Sequence, residues 1–286
     1  MTSPTRPPLP LAALRILGDT AAYRLRKREA GNLVTTATLA VALGLPGGDI
    51  AWRVAYAVAL NLFVYVVNDL FDVAIDLQAP GRDVGRTRFL ADNLRAGWVG
   101  TIALGLALGV AAALRSVDML VTYAVNVALI VAYSRVLKRQ PIVDLVAMAA
   151  WGVTMAMVGF PLASRDGWVL AGLLGCLCAV TESVQVIRDE ASDRAAGVRT
   201  TAAVLGAARA ALLARALIVG SAAYAALLLH RYVGLVLLGA LAVPLAPARI
   251  ERSWDTLRVL FGITWLVLLA AYVHDARSLS GWLALP

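Results

Sequence analysis

The chain reads NDLFDVAID over residues 68–76, where an apolar segment meets a charged loop. Residues four apart share one face of a helix, so Asn68, Asp72 and Asp76 predict a single polar stripe. Stacked carboxylates repel one another, and near hydrocarbon they are costly unless a cation lies between them. Hard oxygen ligands in this pattern are typical of Mg²⁺ that carries a phosphate-bearing substrate.

A second acidic cluster, DEASD over residues 189–193, also follows an apolar segment. On a continuous helix, Asp189 and Asp193 would form a second stripe. Alone, this cluster could be an ordinary charged loop. Glu182 and Gln185 argue against that interpretation because they lie inside the apolar segment, where a carboxylate is costly without a partner. The stripe from Glu182 to Asp193 indicates a cavity filled with water or ligand.

The rest of the chain has the composition of a membrane protein. Hydrophobic residues make up 60% of the 286 residues, charged residues 15%, and the mean hydropathy is +0.77. A soluble domain is closer to half apolar and a quarter charged. We therefore predict an all-α fold, one transmembrane domain over residues 1–286, with a basic cytoplasmic segment over residues 1–30. Apolar runs long enough to cross a bilayer predict nine spans: 31–47, 50–68, 96–114, 117–134, 142–162, 168–187, 203–229, 232–248 and 257–274.

The net charge of +8 is arranged as in a membrane protein rather than a nucleic-acid-binding protein. With nine spans, 21 of the 26 Lys and Arg residues lie in the N-terminal segment and in alternate loops. This positive-inside pattern predicts a multi-pass protein of the cell membrane with a cytoplasmic N-terminus and an external C-terminus. Both acidic clusters then lie on the cytoplasmic side, so the active site is expected to open there. Basic and aromatic residues do not interleave as in nucleic-acid-binding proteins, and no nucleic-acid partner is expected.

Three stretches together resemble the UbiA superfamily of intramembrane prenyltransferases. The pattern NDxxDxxxD from Asn68 is similar to the first family signature. The pattern DxxxDxxxGxxTTA from Asp189, ending in LG at residues 205–206, is similar to the second. Residues 133–141, YSRVLKRQP, resemble the loop after the fourth helix of the family. The resemblance implies nine transmembrane helices around a central cavity.

The resemblance also implies a set of site residues. In that family the two acidic motifs bind Mg²⁺, and the metal binds the diphosphate of an isoprenoid donor. The implied metal ligands are Asn68, Asp69, Asp72, Asp76, Asp189 and Asp193, with Asp72 and Asp189 as catalytic residues. Lys138 is the first candidate for contact with the diphosphate, followed by Arg139, and Asn68 is a further candidate. Lys and Arg near the metal would stabilise the negative charge that grows on the leaving group.

One loop departs from the family pattern. Members of the family usually follow the first motif with Arg-Pro, whereas residues 77–89 here read LQAPGRDVGRTRF. Arg82 and Arg86 are the candidates for the missing basic roles. The departure puts the acceptor in doubt and is consistent with a specialised enzyme of secondary metabolism.

Three functions are considered, of which the first two are implied by the family resemblance and the third by the buried carboxylates alone. The first is Mg²⁺-dependent transfer of a prenyl group from an isoprenoid diphosphate to a small-molecule acceptor, an aromatic one being expected, with membrane lipid around the protein. The second is a terpene cyclase of the same superfamily, which acts on the donor alone. The third is an ion-coupled transporter, which would be expected to have helices broken at the membrane midplane. Glu182, seven residues before Asp189, is about 10 Å deeper along a helix, and we expect it to orient an acceptor or take its proton.

Overall fold

A computed structural model describes residues 7–27, 31–77 and 83–283, without the side chains of residues 31–33. The predicted all-α fold is confirmed, and the described residues include no β-strand. The α-helices of these residues are α1 (Leu9–Arg26), α2 (Gly31–Ala42), α3 (Gly47–Asp76), α4 (Val84–Asp92), α5 (Leu94–Arg115), α6 (Val117–Arg135), α7 (Val143–Ala156), α8 (Arg165–Arg188), α9 (Glu190–Ala195), α10 (Thr201–Leu205), α11 (Ala207–Tyr224), α12 (Arg231–Leu238) and α13 (Ile250–His274).

Six helical segments of the described chain are long and apolar enough to cross a membrane, so the predicted count of nine is not confirmed. Two further apolar helical segments are shorter, Val143–Gly159 and Arg231–Ala242. Helix α2 has 12 residues, a length of about 18 Å, which is less than the thickness of the hydrocarbon core. The six segments are Gly47–Asp76, Leu94–Arg115, Val117–Arg139, Arg165–Arg188, Ala207–Leu229 and Pro247–His274.

The chain divides into two compact units. The first comprises residues 1–32 and 55–135 and contains α1, most of α3, and α4 to α6. Its core joins small and branched residues of α1, such as Ala13 and Ile16, to Val66 and Leu70 of α3. The side chain of Asp83 caps α4 by accepting a hydrogen bond from the Arg86 backbone N–H at 3.1 Å, as acidic residues at helix starts commonly do. This unit holds the first acidic motif.

The second unit comprises residues 33–54 and 136–286 and is built around α8. Glycines allow α7 and α8 to approach closely: a methyl group added at Gly152 would lie 2.6 Å from the Leu174 carbonyl oxygen, and one added at Gly175 would lie 2.7 Å from that of Ala149. Small residues let membrane helices pack at short range in this way. Helix α8 also packs against α11 and α13, and its polar residues Glu182 and Ser183 are buried. This unit holds the second acidic motif.

Candidate active-site residues

The first motif ends helix α3, as its spacing predicts. Asp72 and Asp76 are 8% and 6% exposed, and Asn68 is half-buried. Two carboxylates one helical turn apart on a buried face are costly unless polar or charged partners compensate them. The stripe is therefore an inward-facing polar surface of the first unit rather than a solvated helix end.

Asp69 lies beside the stripe but is bound to two arginines. Its Oδ1 accepts a hydrogen bond from Arg24 Nη2 at 2.9 Å, and its Oδ2 accepts one from Arg86 Nη1 at 2.6 Å. The side chains of all three residues are at most 14% exposed. The Arg86 guanidinium also lies 4.5 Å from the ring centre of Tyr23, and that of Arg24 lies 4.1 Å from the ring centre of Tyr65. With both oxygens engaged in this way, Asp69 is a partner for guanidinium groups, and its predicted role as a metal ligand stays a prediction.

The basic residues proposed for the diphosphate have different surroundings. Arg86 lies on α4 and is held by Asp69 and by Thr20 Oγ1 at 3.3 Å. Arg139 is exposed in the short helix Leu137–Arg139, and Lys138 in the same helix is half-buried. Arg82 lies outside the described residues. Arg86 is thus bonded to Asp69, whereas Lys138 and Arg139 belong to the second unit. Arg24 was not a candidate, because its position in a basic N-terminal stretch fits the positive-inside pattern equally well.

The second motif is divided between two helices and does not lie on the one continuous helix that its spacing predicts. Helix α8 ends at Arg188, and Asp189 joins it to the short helix α9 with φ −91° and ψ 1°. At this junction the Arg188 side chain donates to both carboxylate oxygens of Asp189, at 2.8 and 3.0 Å. The Asp193 backbone N–H still donates to the Asp189 carbonyl at 2.9 Å. The two residues therefore stay one turn apart, although Asp189 itself lies between the two helices.

Asp193 lies among other charged groups of the second unit. Burial raises the pKa of Asp193 to about 6, and the negative charges of Asp189 and Asp144 act in the same direction. A hydrogen bond from Thr200 Oγ1 at 2.9 Å and the positive charge of Lys138 act against this rise. Lys138 and the second motif are thus close enough to interact electrostatically. A carboxyl group that is costly to ionise in this environment would be stabilised by a cation.

Glu182 is 5% exposed on α8, inside a membrane-spanning segment, as predicted from the sequence. It precedes Asp189 by seven residues, which corresponds to about 10 Å of helix. Its charge acts on Arg188, six residues further along α8. A buried carboxylate at this depth is functional or structurally paired as a rule.

Sequence reasoning missed one buried acidic residue, Asp144. It is 0% exposed in the first turn of α7 and bonds Thr201 at the start of α10. The signal was available, because a carboxylate near the start of the apolar run 142–162 is costly without a partner. Asp144 lies three residues after the end of the YSRVLKRQP loop, and Thr201 belongs to the second motif.

The donor set fits Mg²⁺. Asn68, Asp72 and Asp76 in the first unit, and Asp189 and Asp193 in the second, offer oxygen ligands of the kind that Mg²⁺ prefers. In the described part of the chain, no three His, Cys, Asp or Glu side chains converge as a ready metal cage. Mg²⁺ seldom uses such a cage, because it usually keeps several waters and binds one or two carboxylates together with substrate phosphates.

The family can be assigned from comparison with known proteins. The model of the UbiA prenyltransferase family matches residues 32–261, which is most of the chain and includes both acidic motifs. The chain belongs to the UbiA prenyltransferase family. With its apolar helices, this membership indicates a multi-pass membrane protein. The family resemblance predicted from the three motifs is confirmed.

A curated relative gives a more specific similarity. The digeranylgeranylglyceryl phosphate synthase of Halobacterium salinarum is 31% identical over 163 residues, which cover 55% of this chain and 57% of the relative. The chain thus matches little more than half the length of that enzyme. The similarity supports a UbiA-type prenyltransferase and leaves the substrates of this chain to be proposed.

Solved structures share the fold at low sequence identity. A UbiA homologue from Archaeoglobus fulgidus bound to DMAPP and Mg²⁺ has a TM-score of 0.64 at 15% identity, covering 90% of this chain and 99% of that one. The same homologue bound to GPP and Mg²⁺ has a TM-score of 0.62. A structure of a digeranylgeranylglyceryl phosphate synthase has a TM-score of 0.66 at 13% identity, covering 92% and 99%. These likenesses support the UbiA fold.

Proposed function

We propose that this UbiA-family member is a Mg²⁺-dependent intramembrane prenyltransferase that uses an isoprenoid diphosphate as donor. The observation that carries the proposal is the pair of buried carboxylates Asp72 and Asp76, one turn apart at the end of a membrane-spanning helix. Carboxylates are rare at such positions and are commonly functional, and their oxygens are ligands that Mg²⁺ prefers. Structures of a UbiA homologue with the same fold contain Mg²⁺ together with DMAPP or GPP.

The reaction breaks the bond between the allylic carbon and the diphosphate oxygen, and the diphosphate leaves with the electron pair. A nucleophilic atom of the acceptor forms the new bond to that carbon and loses a proton. Mg²⁺, when bound, would neutralise the charge that develops on the leaving group. Asn68, Asp72 and Asp76 would hold metal in the first unit, and Asp189 and Asp193 in the second. Lys138 would bind diphosphate oxygens. Arg139, and Asn68 of the first motif, would contribute further contacts to the diphosphate.

Asp69 and Arg86 have a different role in this proposal. Because Asp69 accepts hydrogen bonds from both Arg24 and Arg86, it would keep α1 and α4 against α3 beside the metal-binding stripe. Asp72 would be the catalytic carboxylate of the first motif, and Asp189 that of the second. Arg188, which holds Asp189 through two hydrogen bonds, would have to share that carboxylate with the metal.

Two classes of acceptor are consistent with the chain. An aromatic ring follows from the resemblance to the superfamily. A prenylated glyceryl phosphate follows from the relative that is named a digeranylgeranylglyceryl phosphate synthase. In both cases the acceptor must lose a proton, and Glu182, buried within α8, would orient the acceptor or accept that proton. Cyclisation of the donor alone is the remaining alternative within the superfamily.

The orientation in the membrane completes the proposal. The distribution of Lys and Arg favours a cytoplasmic N-terminus and an active site that opens to the cytoplasm. Isoprenoid diphosphates are charged at one end and apolar at the other. An opening at the membrane surface would admit the diphosphate while the hydrocarbon chain of the isoprenoid stays in the apolar interior.

The direct experiment is product analysis with purified protein in lipid nanodiscs. Isoprenyl diphosphates of several lengths would be supplied with Mg²⁺ and with an aromatic or a prenylglyceryl phosphate acceptor, and each mixture repeated with EDTA. A prenylated acceptor that forms only without EDTA supports the proposal. A cyclic hydrocarbon formed from the donor alone would replace it with the terpene cyclase. No consumption of any donor would refute both enzymatic functions.

A further inference from the structure

A series of polar contacts in the second unit, here called the contact chain, joins the Lys138 loop to the turn that carries Asp193. It runs through Asp144 at the start of α7 and Thr201 at the start of α10, which are 57 residues apart in sequence. None of its central members was predicted to bind metal or diphosphate. The contact chain links Lys138 to Asp193, and both groups must be placed accurately for the proposed reaction.

Asp144 is the buried anchor of the contact chain. Its Oδ2 accepts a hydrogen bond from the Thr201 backbone N–H at 2.7 Å, and its Oδ1 accepts a short one from the Thr201 hydroxyl. Oδ1 also accepts from the Leu145 backbone N–H at 2.9 Å. With 0% of its surface exposed, the carboxylate depends on these donors in place of water. Removing one of them would take away a hydrogen bond that water is not there to replace.

The Thr201 hydroxyl extends the contact chain to the loop that carries Lys138. It accepts a hydrogen bond from the Ile142 backbone N–H at 2.7 Å while it donates to Asp144. Ile142 has φ 72°, a left-handed conformation that is costly for a β-branched residue. Surrounding structure must therefore impose this conformation, and the bond to Thr201 is one of the restraints. Because Ile142 directly follows residues 137–141, a restraint on Ile142 also restrains the end of that loop.

Thr200 extends the contact chain in the other direction. Its hydroxyl donates to Asp193 Oδ2 at 2.9 Å, and its side chain caps the start of α10. The Val198 backbone N–H donates to the Asp193 carbonyl at 2.8 Å, which closes the turn. Because Thr200 and Thr201 are adjacent, fixing Thr201 also fixes the partner of Asp193.

We infer that Asp144 and Thr201 are positioning residues that hold the Lys138 loop at a set distance from Asp193. This inference rests on the proposed function, because it assumes that Lys138 binds diphosphate and Asp193 binds metal. Neither Asp144 nor Thr201 touches substrate. Both act by holding the groups that do, and displacement of a binding group by about 1 Å costs roughly 100-fold in rate.

The first test measures position without activity. Spin labels at Gln140 and Ala196, both exposed, would report the distance between the Lys138 loop and the second motif by dipolar EPR. The background would carry Cys176→Ala and Cys178→Ala. Thr201→Val removes the hydroxyl and keeps the shape, whereas Thr201→Ser keeps the hydroxyl. We expect a broader or shifted distance distribution in Thr201→Val and the parent distribution in Thr201→Ser.

The second test measures Mg²⁺-dependent diphosphate release per folded molecule, without labels. Thr201→Val should lower turnover by about 10- to 100-fold and raise the Mg²⁺ concentration for half-maximal rate, and Thr201→Ser should restore both. Asp144→Asn, which keeps the side-chain shape, should have the same effect as Thr201→Val, and it serves if that variant does not fold. A purely structural role would lower thermal stability and leave turnover and Mg²⁺ dependence per folded molecule unchanged.

The outcomes separate this inference from the proposed function. Unchanged distances in both Thr201→Val and Asp144→Asn would overturn the inference even if the enzyme is a prenyltransferase. An equal change in Thr201→Ser would also overturn it, because the hydroxyl would not be responsible. If the parent protein releases no diphosphate, the proposed function fails, and with it the catalytic purpose of the two residues. The EPR result would still decide whether they hold the loop.

Discussion

Asp69 and Arg86 form a 2.6 Å ion pair with side-chain exposures of 2% and 9%. Arg24 completes a buried triad by binding the other oxygen of the same carboxylate. The triad joins α1 and α4 to the helix that carries the first acidic motif. Asp69 therefore stabilises the fold next to residues that are proposed to bind metal. Stabilisation of the fold and metal binding can be separated by experiment.

Loss of one partner from this triad is expected to destabilise the protein strongly. Arg86→Gln should cost about 3–5 kcal/mol, because it leaves buried charge uncompensated. Arg15→Gln is the matched control: it removes a guanidinium from an exposed pair with Asp19, and such pairs contribute about 0.2–1 kcal/mol. Thermal unfolding in detergent would measure both. Equal melting temperatures for the two variants would contradict the structural role of the triad.

The same triad makes a prediction about Mg²⁺. If Asp69 serves the arginines and not the metal, Asp69→Asn should lower stability while the Mg²⁺ concentration for half-maximal turnover stays near that of the parent. A Mg²⁺ titration of diphosphate release, corrected for the folded fraction, would measure this. A large rise in the required Mg²⁺ concentration would indicate that Asp69 is a metal ligand.

Substitution of Glu182 is expected to affect the reaction of the acceptor and not the binding or cleavage of the donor. Since it lies about 10 Å from Asp189 along α8, Glu182→Gln should impair formation of the prenylated acceptor. Donor binding and slow Mg²⁺-dependent diphosphate release should be largely retained. Binding of a labelled donor and release of diphosphate would be measured beside product formation. Loss of donor binding together with turnover would make Glu182 a structural or donor-site residue.

Membrane orientation can be tested with two exposed residues of the second unit. A cysteine at Gly47 should react with an impermeant maleimide from outside intact cells, whereas one at Ala196 should react only after permeabilisation. Both positions are exposed, so accessibility to the reagent depends on the side of the membrane. External labelling at Ala196 would reverse the orientation derived from the basic residues.

Local features of the chain could be predicted from sequence, because helix geometry fixes them. The spacing of Asn68, Asp72 and Asp76 needs only a continuous helix, and α3 supplies one. Burial of Glu182 followed from the cost of a carboxylate in an apolar run. The family resemblance could be recognised because its motifs are short and lie at helix ends.

Features that depend on distant residues could not be predicted in the same way. Asp69 is bound by residues 45 and 17 positions away, and nothing in local spacing identifies either arginine. Helix α8 ends before Asp189, whereas local propensity alone allows a continuous helix. The short length of α2 and the count of spans depend likewise on where helices end against their neighbours, which is the least certain part of any hydropathy pattern.

The central claim is that both acidic motifs are required for Mg²⁺-dependent cleavage of an isoprenoid diphosphate. The most direct measurement is single-turnover diphosphate release by the parent protein and by Asp72→Asn, Asp189→Asn and Asp255→Asn, the last being an exposed carboxylate of α13 that serves as control. We predict a loss of about 100-fold or more in each of the first two variants, with folding retained and the control unaffected. A rate within about twofold of the parent in either Asp72→Asn or Asp189→Asn would contradict the claim for that motif.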